Sequence, residues 1–262
     1  MRRTAKRLWV QAGIILFIVC FFQCEDWIDI IMGRDSFLIT DMAFVFPYLV
    51  FHRLDSTEPD ITILVNATIS IIMFNILYGS YLYDELHGTG IYYFIRYRNR
   101  MKWYIQKIMA LLRNAFVFHM VYLGIQYIFS LNLTHETMSF HNFEMLISYT
   151  AYFTILCIMT ALITNLLSVR FGRVIAFIVA YAVLGIMRWT VLAVGNATIF
   201  GTDQKIRALI PIHLTLDDEG FFTGDTYLSL AVAVLICCLL TGLLYHVIRS
   251  ENIGLLQEES HV

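Results

Sequence analysis

Six apolar runs dominate this chain and leave it little choice of solvent. They cover residues 8–22, 61–83, 108–131, 145–167, 174–194 and 227–248. An α-helix needs about 20 mostly apolar residues to cross a bilayer. In lipid the backbone must satisfy its own N–H and C=O groups, so runs of this length are read as helices. The full composition agrees, with 59% hydrophobic and 15% charged residues and a mean hydropathy of +0.69. A soluble domain is nearer 45–50% apolar and about 25% charged. The expectation is an all-α polytopic membrane protein, a single transmembrane domain over 1–262 with six transmembrane helices. No connection is long enough for a separate soluble domain.

Lys and Arg set the orientation, because they concentrate on the cytoplasmic side. With the N-terminus inside, the inner side holds Arg2, Arg3, Lys6, Arg7, Arg96, Arg98, Arg100, Lys102, Lys107, Arg170, Arg173 and Arg249. The outer side holds only Arg34, Arg53, Lys205 and Arg207, together with acidic groups such as Asp217, Asp218, Glu219 and Asp225. Both termini are then cytoplasmic. The basic start followed by an apolar run resembles a signal peptide without a small-x-small cleavage site, which reads as an uncleaved anchor. Residues 37–51 contain Asp41 and Pro47 and read as an outer amphipathic or re-entrant helix; the alternative, a seventh span, would turn the basic 96–107 segment outward against the positive-inside rule. The outer loop 195–225 holds apolar pieces at 206–216 and at Phe221 and Phe222, expected as short interfacial helices.

The segment 84–107 interrupts the apolar pattern most sharply. Asp84 and Glu85 end one run; Gly88, Thr89 and Gly90 permit a turn; residues 91–95 are apolar and aromatic. Arg96, Arg98, Arg100 and Lys102 then alternate with Tyr97, Asn99 and Met101, and Trp103 and Tyr104 mark the return to the interface. Such a segment is either a basic loop attracted to anionic lipid or an elbow that docks on a soluble partner.

The order of an acidic residue, Gly-Thr, an apolar stretch, Arg, Arg and then Lys resembles the first cytoplasmic loop of ABC-2-type permeases, the membrane subunits of ABC exporters. The matching residues here are Glu85, Gly88, Thr89, Arg96, Arg100 and Lys107. The run 95–103 is similar to that of small stand-alone permeases of bacteriocin and peptide-antibiotic exporters in Gram-positive bacteria. Many members carry a Leu-Pro-x-Ser/Thr-Arg motif in this loop, and this chain has no proline there. The resemblance implies a bacterial plasma-membrane subunit working with a second permease copy or paralogue. Separate ATPase subunits, carrying ATP and Mg, would grip an elbow of Glu85, Gly88, Thr89, Arg96, Arg98, Arg100 and Lys102. The implied cargo is an amphipathic substrate such as an antimicrobial or signalling peptide.

Polar residues within the apolar runs are the other candidates. Asn66, Thr68, Ser70 and Asn75 fall in the second, His119 and Gln126 in the third, Thr160, Thr164 and Asn165 in the fourth. Helix-to-helix hydrogen bonding is the default reading of such residues. Asn75, His119, Gln126 and Arg188 are the candidates for a translocation path, and a membrane Arg points to a cavity, a partner or snorkelling. The chain has no Gly-x-x-x-x-Gly-Lys-Ser/Thr loop, so it does not hold ATP in that way. Five cysteines without a Cys-x-x-Cys pair and His135, Glu136, His141 and Glu144 without a recognised ligand spacing favour no metal or cofactor in this chain. Nothing suggests nucleic acid. The rival classes are a non-transporting membrane sensor or assembly subunit, and an intramembrane enzyme, for which no converging nucleophile and base appear.

Overall fold

The computed structural model describes residues 61–86, 100–134, 140–196 and 222–259, together with Gly13. These residues are nearly all helical. The elements are α1 (Ile61–Tyr78), α2 (Tyr81–Glu85), α3 (Arg100–Thr134), α4 (Phe140–Phe171), α5 (Arg173–Asn196) and α6 (Gly224–Glu259). Among the described residues, three helices are long and apolar enough to cross a membrane: Arg100–Asn132, Phe143–Phe171 and Gly224–Arg249. Arg173–Met187 is a shorter apolar helix. Apart from Gly13, the expected first run at 8–22 lies outside the described residues, as do the stretch 37–51 and residues 197–221 of the outer loop.

Helix α4 is the axis of the bundle and packs against every other described helix. In its most apolar stretch α4 is 72% buried, against 33% for α3 and 17% for α6. Burying so many polar residues on one helix needs internal partners. Four of its hydroxyls return to the carbonyl one turn earlier: Thr150 to Leu146 at 2.8 Å, Thr160 to Leu156 at 3.1 Å, Thr164 to Thr160 at 2.8 Å and Ser168 to Thr164 at 2.7 Å. The hydroxyls are thereby satisfied within the helix, and their small side chains let neighbours approach. The neighbours respond in kind, burying Ala176 and Ala180 on α5 and Thr226, Ser229 and Ala233 on α6.

The opposite faces are apolar and exposed. Val174, Ile178 and Ile186 recur at helical spacing on α5, and Leu235, Leu239 and Leu243 on α6. Stripes this greasy suit lipid or a partner, not water.

One break departs from the sequence expectation, and another falls where two separate runs are expected. The run 61–83 reads as one helix, but the structure interrupts it at Gly79 and Ser80, between α1 and α2. Ser80 leaves helical geometry at φ −104° and ψ 15°. The boundary between α4 and α5 is a single residue, Gly172, whose φ of 75° is the left-handed conformation a glycine adopts freely. Beyond the bundle, Phe222 precedes α6 and is buried against Tyr149 and Tyr152, with ring centroids 5.0 and 5.5 Å away. It is held by a helical neighbour, where a short interfacial helix was expected.

Candidate functional site

The sequence motif converges at one end of the bundle. Glu85 closes α2, and its Oε2 lies 2.8 Å from Lys107 Nζ on α3; both side chains are mostly buried. The Lys107 ammonium also stands 5.6 Å from the centroid of the Tyr81 ring, where the negative face of the ring favours a cation. The two ends of the 84–107 segment are therefore tied together by charge. Asp84 is tied elsewhere: Ser80 donates to its Oδ2 at 3.0 Å. The Nε of Arg173 lies 3.1 Å from its Oδ1, a more exposed ion pair whose N–H is not aimed along the contact. Arg173 begins α5, so the helix break, the base of the elbow and the α4–α5 turn share one end of the molecule.

The break itself is clamped from α4. Asn165, fully buried, donates from Nδ2 to the Gly79 carbonyl at 2.6 Å and to the Ala161 carbonyl at 2.7 Å. Its Oδ1 accepts from the Tyr83 N–H at 3.0 Å. One amide thus satisfies a carbonyl and an N–H that the interrupted helix leaves without their usual partners. Gly79 is needed for its size: its N–H bonds the Asn75 carbonyl at 2.7 Å, and a Cβ at this position would collide with that same oxygen.

Of the elbow residues expected from sequence, Glu85 ends α2, while Arg100 and Lys102 lie in the first turn of α3, because the helix begins earlier than the apolar run does. Gly88, Thr89, Arg96 and Arg98 lie outside the described residues. Arg100, Lys102, Lys107, Arg170, Arg173 and Arg249 fall at the elbow end of their helices, where Asp84 and Glu85 also lie, and Glu144 and Asp225 fall at the other end. Helix α3 has 35 residues. At 1.5 Å per residue it is about 50 Å long, more than the roughly 30 Å hydrocarbon core, so part of it would project from a bilayer, and the charged first turn with Arg100 and Lys102 suits that part.

The candidate path residues are dispersed. Asn75 on α1 donates from Nδ2 to Thr160 Oγ1 at 2.7 Å and stands 3.9 Å from Cys157 Sγ. His119 on α3 is fully buried, with ring centroids of Phe118, Phe153 and Phe74 at 5.4, 5.8 and 6.1 Å. Its Nδ1 lies 2.9 Å from the Ala115 carbonyl and must carry the proton there, since a carbonyl only accepts. Among the described residues its Nε2 has no hydrogen-bond partner. Gln126 is buried farther along α3, and Arg188 lies on α5. Of these, Asn75 lines an open groove of about 330 Å³ between α1 and α5. Its polar side is Asn75, Ser80, Thr164 and Arg173.

A family model for a protein family of unknown function, DUF2705, matches residues 16–240. The chain belongs to that family. No curated protein and no solved structure matches it. The matched region of this DUF2705 member takes in the helix break, the Asn165 clamp, the Glu85–Lys107 pair and the groove. Sequence reasoning names Glu85, Lys107 and Asn165 individually but does not pair them. The separation between Asn165 and Gly79 spans two helices, and the only signal for it is an amide placed inside an apolar run.

Proposed function

We propose that this chain is a six-span, ABC-2-type permease subunit in a bacterial plasma membrane, with both termini cytoplasmic. Two copies, or this chain and a paralogue, would form the path, and separate ATPase subunits would dock on the 84–107 elbows. The observation that supports this reading is the closed base of the elbow. Glu85 and Lys107 join α2 to α3, so a force on the intervening basic segment reaches both helices together and, through Gly79 and Ser80, the start of α1's break. An isolated lipid-binding loop has no need of such a linkage. The sequence has no Gly-x-x-x-x-Gly-Lys-Ser/Thr loop, which is compatible with an energy source on another polypeptide. The cargo is an amphipathic molecule, and a peptide suits the resemblance in the 95–103 run.

The test is co-expression with a candidate ATPase subunit, followed by charge reversal at Arg96, Arg98 and Arg100. Reversal is expected to abolish co-purification and substrate-stimulated ATP hydrolysis while the helical content stays unchanged. Survival of both, with the elbow fully accessible to protease in the complex, overturns the reading and favours a sensor or assembly subunit.

A further inference from the structure

Asn75, on the polar side of the groove between α1 and α5, is 2% exposed, and among the described residues its Oδ1 has no hydrogen-bond partner. The amide orientation follows from chemistry. Thr160 directs its hydroxyl proton at the carbonyls of Leu156 and Cys157, at 3.1 and 2.9 Å, so its oxygen is an acceptor and the atom 2.7 Å away is Nδ2. Tyr181 stands beside Asn75, but its hydroxyl donates to the Ile71 carbonyl at 3.3 Å. A buried amide oxygen without a donor costs about 1–3 kcal/mol, which a ligand N–H or O–H would recover.

The remaining lining narrows the ligand further. Arg173 sits at the mouth, its Nε 3.1 Å from Asp84 Oδ1 and its side chain 62% exposed, so the guanidinium is within reach of an oxyanion. Thr164 and Ser80 lie on the same polar side. The other wall is Ile76, Val174, Phe177 and Ile178. Three of these are widely exposed, at 55% for Ile76, 74% for Val174 and 62% for Ile178. The groove therefore opens sideways, on the apolar face of α5 that would meet hydrocarbon, and its cation lies at the basic end of the bundle.

We infer that this groove binds an anionic, single-chain lipid of the cytoplasmic leaflet. Arg173 would hold the phosphate, the chain would lie on Ile76, Val174 and Ile178, and a headgroup or glycerol hydroxyl would donate to Asn75 Oδ1. The choice of leaflet rests on the orientation proposed above; the binding itself requires a membrane but no ATPase, so it stands or falls separately from the permease reading.

The probe is lysophosphatidylglycerol, titrated into the full chain in neutral-detergent micelles and followed by native mass spectrometry. Saturable one-to-one binding is expected. Arg173→Gln should weaken it at least tenfold, and Ile178→Trp, a change on an exposed face that keeps the fold, should block it by filling the mouth. Arg170→Gln, on the other side of the turn, should leave it unchanged. A probe with every hydroxyl methylated tests the Asn75 contact without altering the protein and should bind several-fold more weakly. Equal binding by Arg173→Gln, equal binding of a neutral monoacylglycerol, full competition by millimolar inorganic phosphate, or preferential uptake of a peptide with a free carboxylate would each overturn the assignment.

Discussion

Helices α4 and α6 are both long and apolar enough to span a bilayer, yet they are used in opposite ways. α4 carries a ladder of Thr, Ser and Asn and is the most buried of the three spanning-length helices; α6 carries an almost unbroken run of Leu, Val, Ala and Cys and is the least. In water the more apolar helix would be the inner one. In lipid, tails are as apolar as leucine, so greasiness gives a helix no reason to be inside. Close packing and polar partners decide instead, and polar residues mark the central helix.

Substitutions can break that contrast, and the largest effect is expected at α4. Leu156→Ala empties a fully buried position and should destabilise the bundle by about 2–4 kcal/mol through lost packing, measured by denaturant unfolding in micelles. Asn165→Leu comes next. It leaves the Gly79 carbonyl and the Tyr83 N–H unsatisfied and should cost about 2 kcal/mol. Amide hydrogen exchange should quicken at Tyr83 while the middle of α6 keeps its protection, separating a local opening of the break from general loosening.

Lys107→Glu should cost about 1–2 kcal/mol, because it sets two carboxylates side by side in a mostly buried site. Combining it with Glu85→Lys should restore most of that loss, and a double-mutant cycle without such coupling would deny that the pair closes the elbow. The smallest effect belongs to α6: Leu239→Ala, on its exposed stripe, should change stability by less than about 0.5 kcal/mol. A loss comparable with Leu156→Ala would show that α6 is covered by another protein surface and not by lipid.

Much of this arrangement is readable in the chain, for a physical reason. The apolar runs from 61 onward coincide with helices because length and apolarity are local properties. The assignment of Thr160, Thr164 and Asn165 to helix-to-helix bonding rests on the same local rule, and Asn165 does bond across to Gly79 and Tyr83. What cannot be read is which distant backbone a side chain will reach. The interruption at Gly79 is invisible in an apolar run, since Asn165, far along the chain, supplies the missing bonds. The pairing of Asp84 with Arg173 likewise depends on how the turn at Gly172 folds α5 back. Arg100 and Lys102 fall on a helix because a projecting helix continues past the hydrocarbon boundary, whereas hydropathy stops there.

The one-residue connection at Gly172 also bears on how the protein is made. With Tyr181 reaching Ile71 and Thr160 reaching Asn75, α5 runs back along α4. The pair is a hairpin whose second arm can begin to pack as soon as the ribosome has released it. Arg170 and Arg173 flank its tip and resist being dragged through the hydrocarbon. On the proposed membrane reading the two helices would enter together as one hairpin, with Arg170 and Arg173 kept on the side of its tip. Synthesis of the segment that begins at Phe140 commits the centre of the bundle before α6 exists.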